Sequence, residues 1–353
     1  MEIDKSTNIQ SSDYSSLLSS IGNMVEESRH NVAYAINTAL VQTYWKIGCY
    51  IVEYEQNGRD RAEYGKGLIS KLSRDLTALY GRGFGRNNLQ YFRKFYAAFP
   101  NCTTLSCKLS WSHYFEILKS DDPLEISFYT KQCEIERWSV RELQRQMKSM
   151  LFHRLALSKD KEGVLALAHK GVEVQKPADI IRDPMVLDFL DLPQVPQLNE
   201  NHIETAIMNQ MTAFLLEMGK GFAFVARQYH IMLGGRHFHA DLVFYHCILK
   251  TYVIIDLKRG MVQHEDIGQM NLYINYFKNE VCTESDTEPI GIVLGAYKDE
   301  TTVEYALQGI TNQLFVTKYQ LYLPDRQLLK DKLAQLIHDA EMATDQSAPR
   351  GNY

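Results

Sequence analysis

The sequence predicts two architectures in series: an all-α N-terminal domain, then an α/β domain built on a mixed sheet flanked by helices. Three observations carry this. Apolar residues recur at helical spacing through most of residues 14–155. From residue 200 the pattern changes to one helical stretch, three apolar runs of strand length, a second helix and a further apolar run. Between the two lies a charged, turn-rich stretch, SKDKEG followed by VEVQKPADIIRDP. The expected limits are a helical domain over 10–170, a connector over 171–183, the α/β domain over 184–335 and a disordered tail over 336–353.

Composition narrows the function classes. With 353 residues and a net charge of -5, the chain is long enough for two domains and is no generic polycation. Nucleic-acid contact therefore needs a local basic patch. The six cysteines are scattered, and Cys102 with Cys107 has no second pair or histidine cluster to complete a zinc spacing. Free thiols in a reducing compartment are expected. The polar, acidic start predicts no signal peptide, and no stretch approaches the ~18 apolar residues of a membrane span. The expected setting is soluble and cytoplasmic, without a membrane partner.

Taken in order, residues 14–55 carry two helical stripes, Leu17, Leu18, Ile21, Met24 and Val25, then Ala33, Ile36, Asn37, Leu40, Tyr44, Ile47 and Ile51. Both are expected to be helix core, with Trp45 beside them. Residues 59–96 differ, with nine Lys or Arg against three acids and interleaved aromatics. LISKLSRDLTALYGRGFGRNNLQYFRKFYAAF reads as helix, glycine-rich turn and helix, with Asn87 or Asn88 as cap. That is the outline of a helix-turn-helix, whose second helix would present Arg86, Gln90, Arg93 and Lys94 to nucleic acid. The same pattern also fits a helical hairpin with a solvated basic face. After Pro100 more helices follow. His113 is expected to pack among aromatics. Ser139 with Glu142 predicts a capping box opening a helix over 140–155, whose Arg141, Arg145, Lys148 and Arg154 can extend the basic face.

In the second half, 185–190 reads as helix and 200–218 as one amphipathic helix ended by Gly219 and Gly221. Strands are expected over 222–231, 238–246 and 252–257, with Gly234-Gly235 as a hairpin turn. A helix over 264–277, an apolar strand over 289–294, a helix near 303–309 and a strand near 313–319 complete the domain.

The chemistry gathers at two of these strands. Asp241 opens the run DLVFYH; Asp256 closes TYVIID, with Lys258 two places on. Strand alternation turns Asp256 and Lys258 to one face, and pairing of the strands brings Asp241 alongside. Two carboxylates and an ammonium at the edge of an apolar sheet suit metal-assisted phosphodiester hydrolysis. Hard oxygens hold a magnesium ion, the ion acidifies a water, and the lysine orients that water or neutralises charge on phosphorus. The alternative is a surface hairpin with solvated charges. His237 and His239 flank Asp241; His239 shares its strand face and can approach such an ion, although a supporting role or simple exposure fits it better. Glu265 and Asp266 fit better as charges at a helix N-terminus than as ligands.

Asp241, Asp256-x-Lys258 and Gln269-x-x-x-Tyr273 on the next helix resemble the PD-(D/E)XK nuclease superfamily, the last pair being similar to its RecB-like and Holliday-junction-resolvase-like branches. Through KGFAFVARQYHIMLGG, FHADLVFYH, GQMNLYINYF and PIGIVLGAYKDETTVEYAL the chain resembles the YhcG-type family, a helical domain followed by such a nuclease domain. The resemblance implies a restriction-endonuclease-like C-terminal fold. It makes Asp241, Asp256 and Glu204 metal ligands, Lys258 the catalytic lysine, and Gln269 with Tyr273 groups that complete the site or touch the nucleic-acid backbone. Ala240 stands where the superfamily name has Pro, and Asp256 where relatives often carry Glu. The expected activity is a magnesium-dependent endonuclease, with Mn2+ as an alternative ion, acting on DNA, branched or otherwise structured. RNA is the alternative substrate, and a non-catalytic nucleic-acid-binding or assembly protein on this fold is the alternative class. A homo-oligomer is expected by resemblance alone.

Overall fold

In the computed structural model of the chain, the described residues are 6–57, 62–101, 109–192, 200–310 and 313–347. The basic residues Arg59 and Arg61, the Cys102–Cys107 pair and the last six tail residues lie outside them. Two compact units divide the chain, residues 1–126 and 127–353.

The first unit is helical: α1 (Ser6–Asn57), α2 (Ala62–Tyr80), α3 (Arg86–Ala98), α4 (Trp111–Ile117) and the start of α5 (Pro123–Glu136). α1 and α3 touch backbone to backbone at Gly48, where a Cβ would fall 2.0 Å from the Phe92 carbonyl oxygen. Aromatics fill the rest. Tyr44 stacks on Phe92 at 4.3 Å between centroids. Phe95 meets Trp111 at 5.4 Å and Tyr114 at 4.7 Å. Trp45 donates its indole N–H to the Phe99 carbonyl at 2.7 Å. His113 is structural, its Nδ1 2.7 Å from the Ser110 hydroxyl in the cap of α4.

Two expectations change here. The stripe Leu17, Leu18, Ile21, Met24 and Val25 is no core; these side chains are 43–67% exposed on the N-terminal half of α1. Ala33, Ile36 and Leu40 of the second stripe are exposed too, leaving its core to the end that holds Tyr44, Ile47 and Ile51. Periodicity marks an apolar face but not what covers it. The turn between α2 and α3 uses positive φ at Gly81 and Gly83 as expected, yet Gly85 is the N-cap of α3. Asn88 instead donates its side-chain amide to the Gly83 carbonyl at 2.9 Å, closing the turn from inside the helix.

The second unit continues α5 with α6 (Val140–Lys148), α7 (Leu151–Ala156) and α8 (Lys161–Lys170). The Ser139–Glu142 capping box forms as expected. There follow β1 (Met185–Val186), α9 (Glu200–Asn209), α10 (Met211–Met218), β2 (Phe222–Leu233), β3 (Arg236–His246) and β4 (Thr251–Met261). Then come α11 (His264–Tyr276), β5 (Ile290–Tyr297), α12 (Glu300–Leu307), β6 (Leu314–Gln320) and α13 (Arg326–Ser347). The six strands run in the order β1-β6-β5-β4-β3-β2. The β2-β3-β4 meander is antiparallel, and β4-β5-β6-β1 is parallel.

Met185 and Val186 are therefore an edge strand beside Tyr319 and Gln320 rather than helix, since a parallel partner lies across the domain and leaves no local signal. The single expected helix over 200–218 breaks at Gln210, whose φ of -117° leaves the helical region. Helix α13 runs on through 336–347, where the composition had suggested disorder.

The central strands are buried on both faces. Leu242, Phe244, Val253, Ile255 and Leu257 pack towards α9 and α10. Val243, Ile254 and Val293 pack towards α11. Helices α6 and α7 are tied to this unit by buried charge. Glu217 of α10 is fully buried; it accepts from Arg154 at 2.7 Å and from the Val186 N–H at 2.8 Å, with Arg145 at 3.5 Å. Arg145 and Arg154 thus belong to an internal ion cluster, not to the exposed basic face expected of them; Arg141 and Lys148 stay exposed. The buried Arg154 guanidinium is matched there by the Glu217 carboxylate.

Candidate active site

The β3–β4 ladder ends at the pair Leu242↔Ile255. One step further stand Asp241 and Asp256, where the strands part. Asp241 Oδ2 accepts from the Leu257 N–H at 2.7 Å, capping a backbone donor left over as the ladder opens. Alternation puts Asp256 on the face opposite Ile255 and Leu257, towards α11, and Lys258 follows it. Lys258 Nζ lies 2.9 Å from Asp256 Oδ2 and 3.6 Å from Asp266 Oδ1. Asp266 also accepts from the Gln263 N–H at 2.8 Å, so it caps α11 and faces the lysine at once.

Electrostatics single out this corner. Asp256 is 2% exposed. Burial first, and the Asp241 carboxylate second, push it up to about 7 against the partial relief of Lys258. Asp241 is also raised, chiefly by burial, with Glu204 adding to it and the Leu257 N–H and Gln228 opposing. Burial pulls Lys258 down, but Asp256, and then Asp266 and Glu200, outweigh it and hold the ammonium above its ordinary range. Lys258 meets the buried Asp256 Oδ2 as an ion pair at 2.9 Å.

Glu204 of α9 is equally buried, but both its oxygens are engaged. Arg227 Nε donates to Oε1 at 2.6 Å, and Gln228 Nε2 donates to Oε2 at 2.8 Å. The same Gln228 nitrogen donates to Asp241 Oδ1 at 2.9 Å, bridging the two acids. Gln228 lies between the pairs Arg227↔Leu242 and Tyr229↔Ala240, directly across from Asp241. Its φ of +48° is a left-handed conformation that a glutamine adopts at a cost of about 1–2 kcal/mol. Sequence reasoning passed over Arg227 and Gln228 as ordinary strand residues, because only the cross-strand register puts them on the carboxylates.

On α11, Gln269 donates to the Tyr273 hydroxyl, which donates in turn to the His239 carbonyl at 3.0 Å. The His239 ring turns to His230, 5.2 Å away between centroids, and His230 Nε2 lies 2.8 Å from His237 Nδ1. The structure thus brings together Asp241, Asp256, Lys258 and Glu204, with Tyr273 and Gln269 linked through the β3 backbone. Among the described residues no three His, Cys, Asp or Glu converge at metal-ligand spacing. The acids still fit a hard divalent cation: two carboxylates held in mutual repulsion, one with a buried oxygen that only the Lys258 ammonium meets, are what such an ion relieves.

The four candidate nucleic-acid contacts lie on α3. Arg86 and Gln90 are exposed. Arg93 pairs with Glu55 at 3.1 Å and Lys94 with Asp121 at 2.6 Å.

Residues 178–334 match the family described as the YhcG PDDEXK nuclease domain, and residues 20–154 match the DUF1016 N-terminal domain. The chain is 36% identical over 355 residues to "Putative nuclease YhcG" of Escherichia coli (strain K12), covering 91% of this chain and 94% of that one. A crystal structure of a repair endonuclease from Pyrococcus abyssi is 22% identical over 37% of this chain and 50% of its own, with a TM-score of 0.26. The structure of EndoMS in apo form is 13% identical over 37% and 49%, with a TM-score of 0.24, so the chain spans about half the length of each. On the extent of the match to the curated relative, with an N-terminal DUF1016 domain ahead of a PDDEXK nuclease domain, the chain belongs to the YhcG family.

Proposed function

We propose that the chain is a divalent-metal-dependent endonuclease that hydrolyses phosphodiester bonds in DNA, with Mg2+ as its ion and Mn2+ as a substitute. The observation that carries the reading is the meeting of Asp241, Asp256 and Lys258 where β3 and β4 part, with Asp256 pushed up to about 7. The nuclease domain of the family agrees with it.

A bound divalent ion supplies Lewis-acid polarisation of the phosphoryl group and a water of lowered pKa. Asp241 and Asp256 are the residues to hold it. The Leu257 N–H and the Gln228 amide fix the Asp241 carboxylate, so its orientation is set before any substrate arrives. Lys258 remains an ammonium and acts as a donor, not as a base: it orients the attacking water or a phosphoryl oxygen and offsets charge on phosphorus. Glu204 acts through Gln228, holding that amide against Asp241. Tyr273 anchors α11 to β3, which places Gln269 beside the backbone of a bound strand. The helical N-terminal region supplies nucleic-acid or partner contacts, with Arg86 and Gln90 foremost because Arg93 and Lys94 already face carboxylates. A reducing cytoplasmic setting suits the four described cysteines, which are free.

The test is a panel of plasmid, branched, single-stranded and RNA substrates with Mg2+, Mn2+ or EDTA. Cleavage of DNA with either ion and none with EDTA supports the reading. Cleavage confined to RNA, or undiminished in EDTA, overturns it.

A further inference from the structure

Helix α1 has two apolar sides. One packs inside the first unit through Val41, Gly48 and Ile51 towards α3 and α4. The other is bare. Leu18, Ile21, Val25, Val32 and Ile36 recur at spacings of three, four and seven, and each is 43–60% exposed. At 100° per residue they share one stripe, and Tyr50 and Tyr54, 67% and 61% exposed, extend it along the C-terminal half. There the stripe becomes the wall of a cavity of about 740 Å³ between α1 and α2, floored by Ile47, Ile51, Leu68, Leu72 and Leu76.

We infer that this stripe is the interface between two copies of the chain, packed antiparallel about a two-fold axis near the middle of α1. The apolar side chains along it present on the order of 700 Å² per chain, close to the roughly 800 Å² per partner of a standard interface and above the roughly 300–600 Å² of the largest apolar patch on a typical monomer. The interface is also self-complementary. A two-fold operation places the same surface on both copies, so a bare ridge in one half of α1 needs a receptive groove in the other half. α1 offers that pairing: a ridge over 18–36 and an open apolar groove over 47–76. Antiparallel packing seats each ridge in the partner's groove, twice; parallel packing would set ridge on ridge and leave both grooves open.

The inference does not depend on the nuclease reading, and its test needs no activity. Mass in solution is measured by light scattering and sedimentation on the full chain, for the parent and for Leu18→Glu with Val25→Glu. The parent is expected at twice the chain mass down to about 1 μM, and the double variant at the chain mass with unchanged helical circular dichroism. The double variant sits on exposed positions, so its own fold is not at risk. Leu18→p-benzoylphenylalanine then reports the packing sense. Ultraviolet light is expected to cross-link it to residues 47–76 of a second copy. A monomeric parent at about 50 μM, a variant that keeps twice the chain mass, or cross-links within one chain or to residues 14–36 of the second copy would overturn the inference.

Discussion

Asp256→Asn should remove a pH-dependent burden from the metal-free protein. An acid whose folded pKa is raised binds its proton in the folded state after the unfolded chain has released it. Stability is then full below the ordinary carboxylate range and is lost as pH rises through the folded value. For Asp256 that window runs from the ordinary value of 3.8 up to about 7. Each pH unit inside it costs about 1.4 kcal/mol, so going from about pH 5.5 to about pH 7 should cost the parent about 2 kcal/mol. In a unit of this size that corresponds to a fall of about 4–8 °C in Tm. His246 works against this slope, since burial lowers its pKa and its contribution grows as pH rises out of the acid range. The readout is therefore the difference between parent and Asp256→Asn, measured by thermal unfolding in EDTA across that range. The variant should gain on the parent as pH rises. Parallel curves would mean that Asp256 ionises as an ordinary carboxylate and that the repulsion at the site is absent.

Other outcomes follow from the same geometry. Gln228→Ala should weaken Mn2+ binding by about 10–100-fold in calorimetry, because the donor that fixes Asp241 is removed; an unchanged affinity would take Gln228 out of the site. Glu217→Gln should cost the second unit about 3–5 kcal/mol in urea unfolding, since it strands Arg154, which is 2% exposed in its side chain, without its carboxylate. Gly48→Ala should cost the first unit about 1–3 kcal/mol, the new methyl forcing α1 from the Phe92 carbonyl. Arg86→Ala should lower the salt slope of DNA binding by about 0.9 for each phosphate it no longer neutralises, with a smaller effect for Arg93→Ala because Glu55 already neutralises that guanidinium.

What the sequence made legible is local. Alternation alone turned Asp256 and Lys258 to one face, and the apolar runs located the central strands to within a few residues. The capping box at Ser139 and the glycine turn after Tyr80 were readable because their partners lie within a few residues. What failed depends on distant partners. Arg145 and Arg154 read as surface cations because Glu217 stands 72 and 63 residues away. Met185–Val186 read as helix because its parallel partner, β6, comes more than a hundred residues later. Gln228 became visible only with the β2–β3 register. The first apolar stripe of α1 was seen, but helical periodicity is the same whether a neighbour or water lies against it.

The central claim is that Asp256 and Lys258 act together on one phosphodiester. Single-turnover cleavage of a DNA substrate with Mg2+, by the parent, Asp256→Ala and Lys258→Ala, tests it most directly. The account predicts that each variant falls by about 100-fold or more while still binding the DNA. Cleavage by either variant at the parent's rate would contradict it.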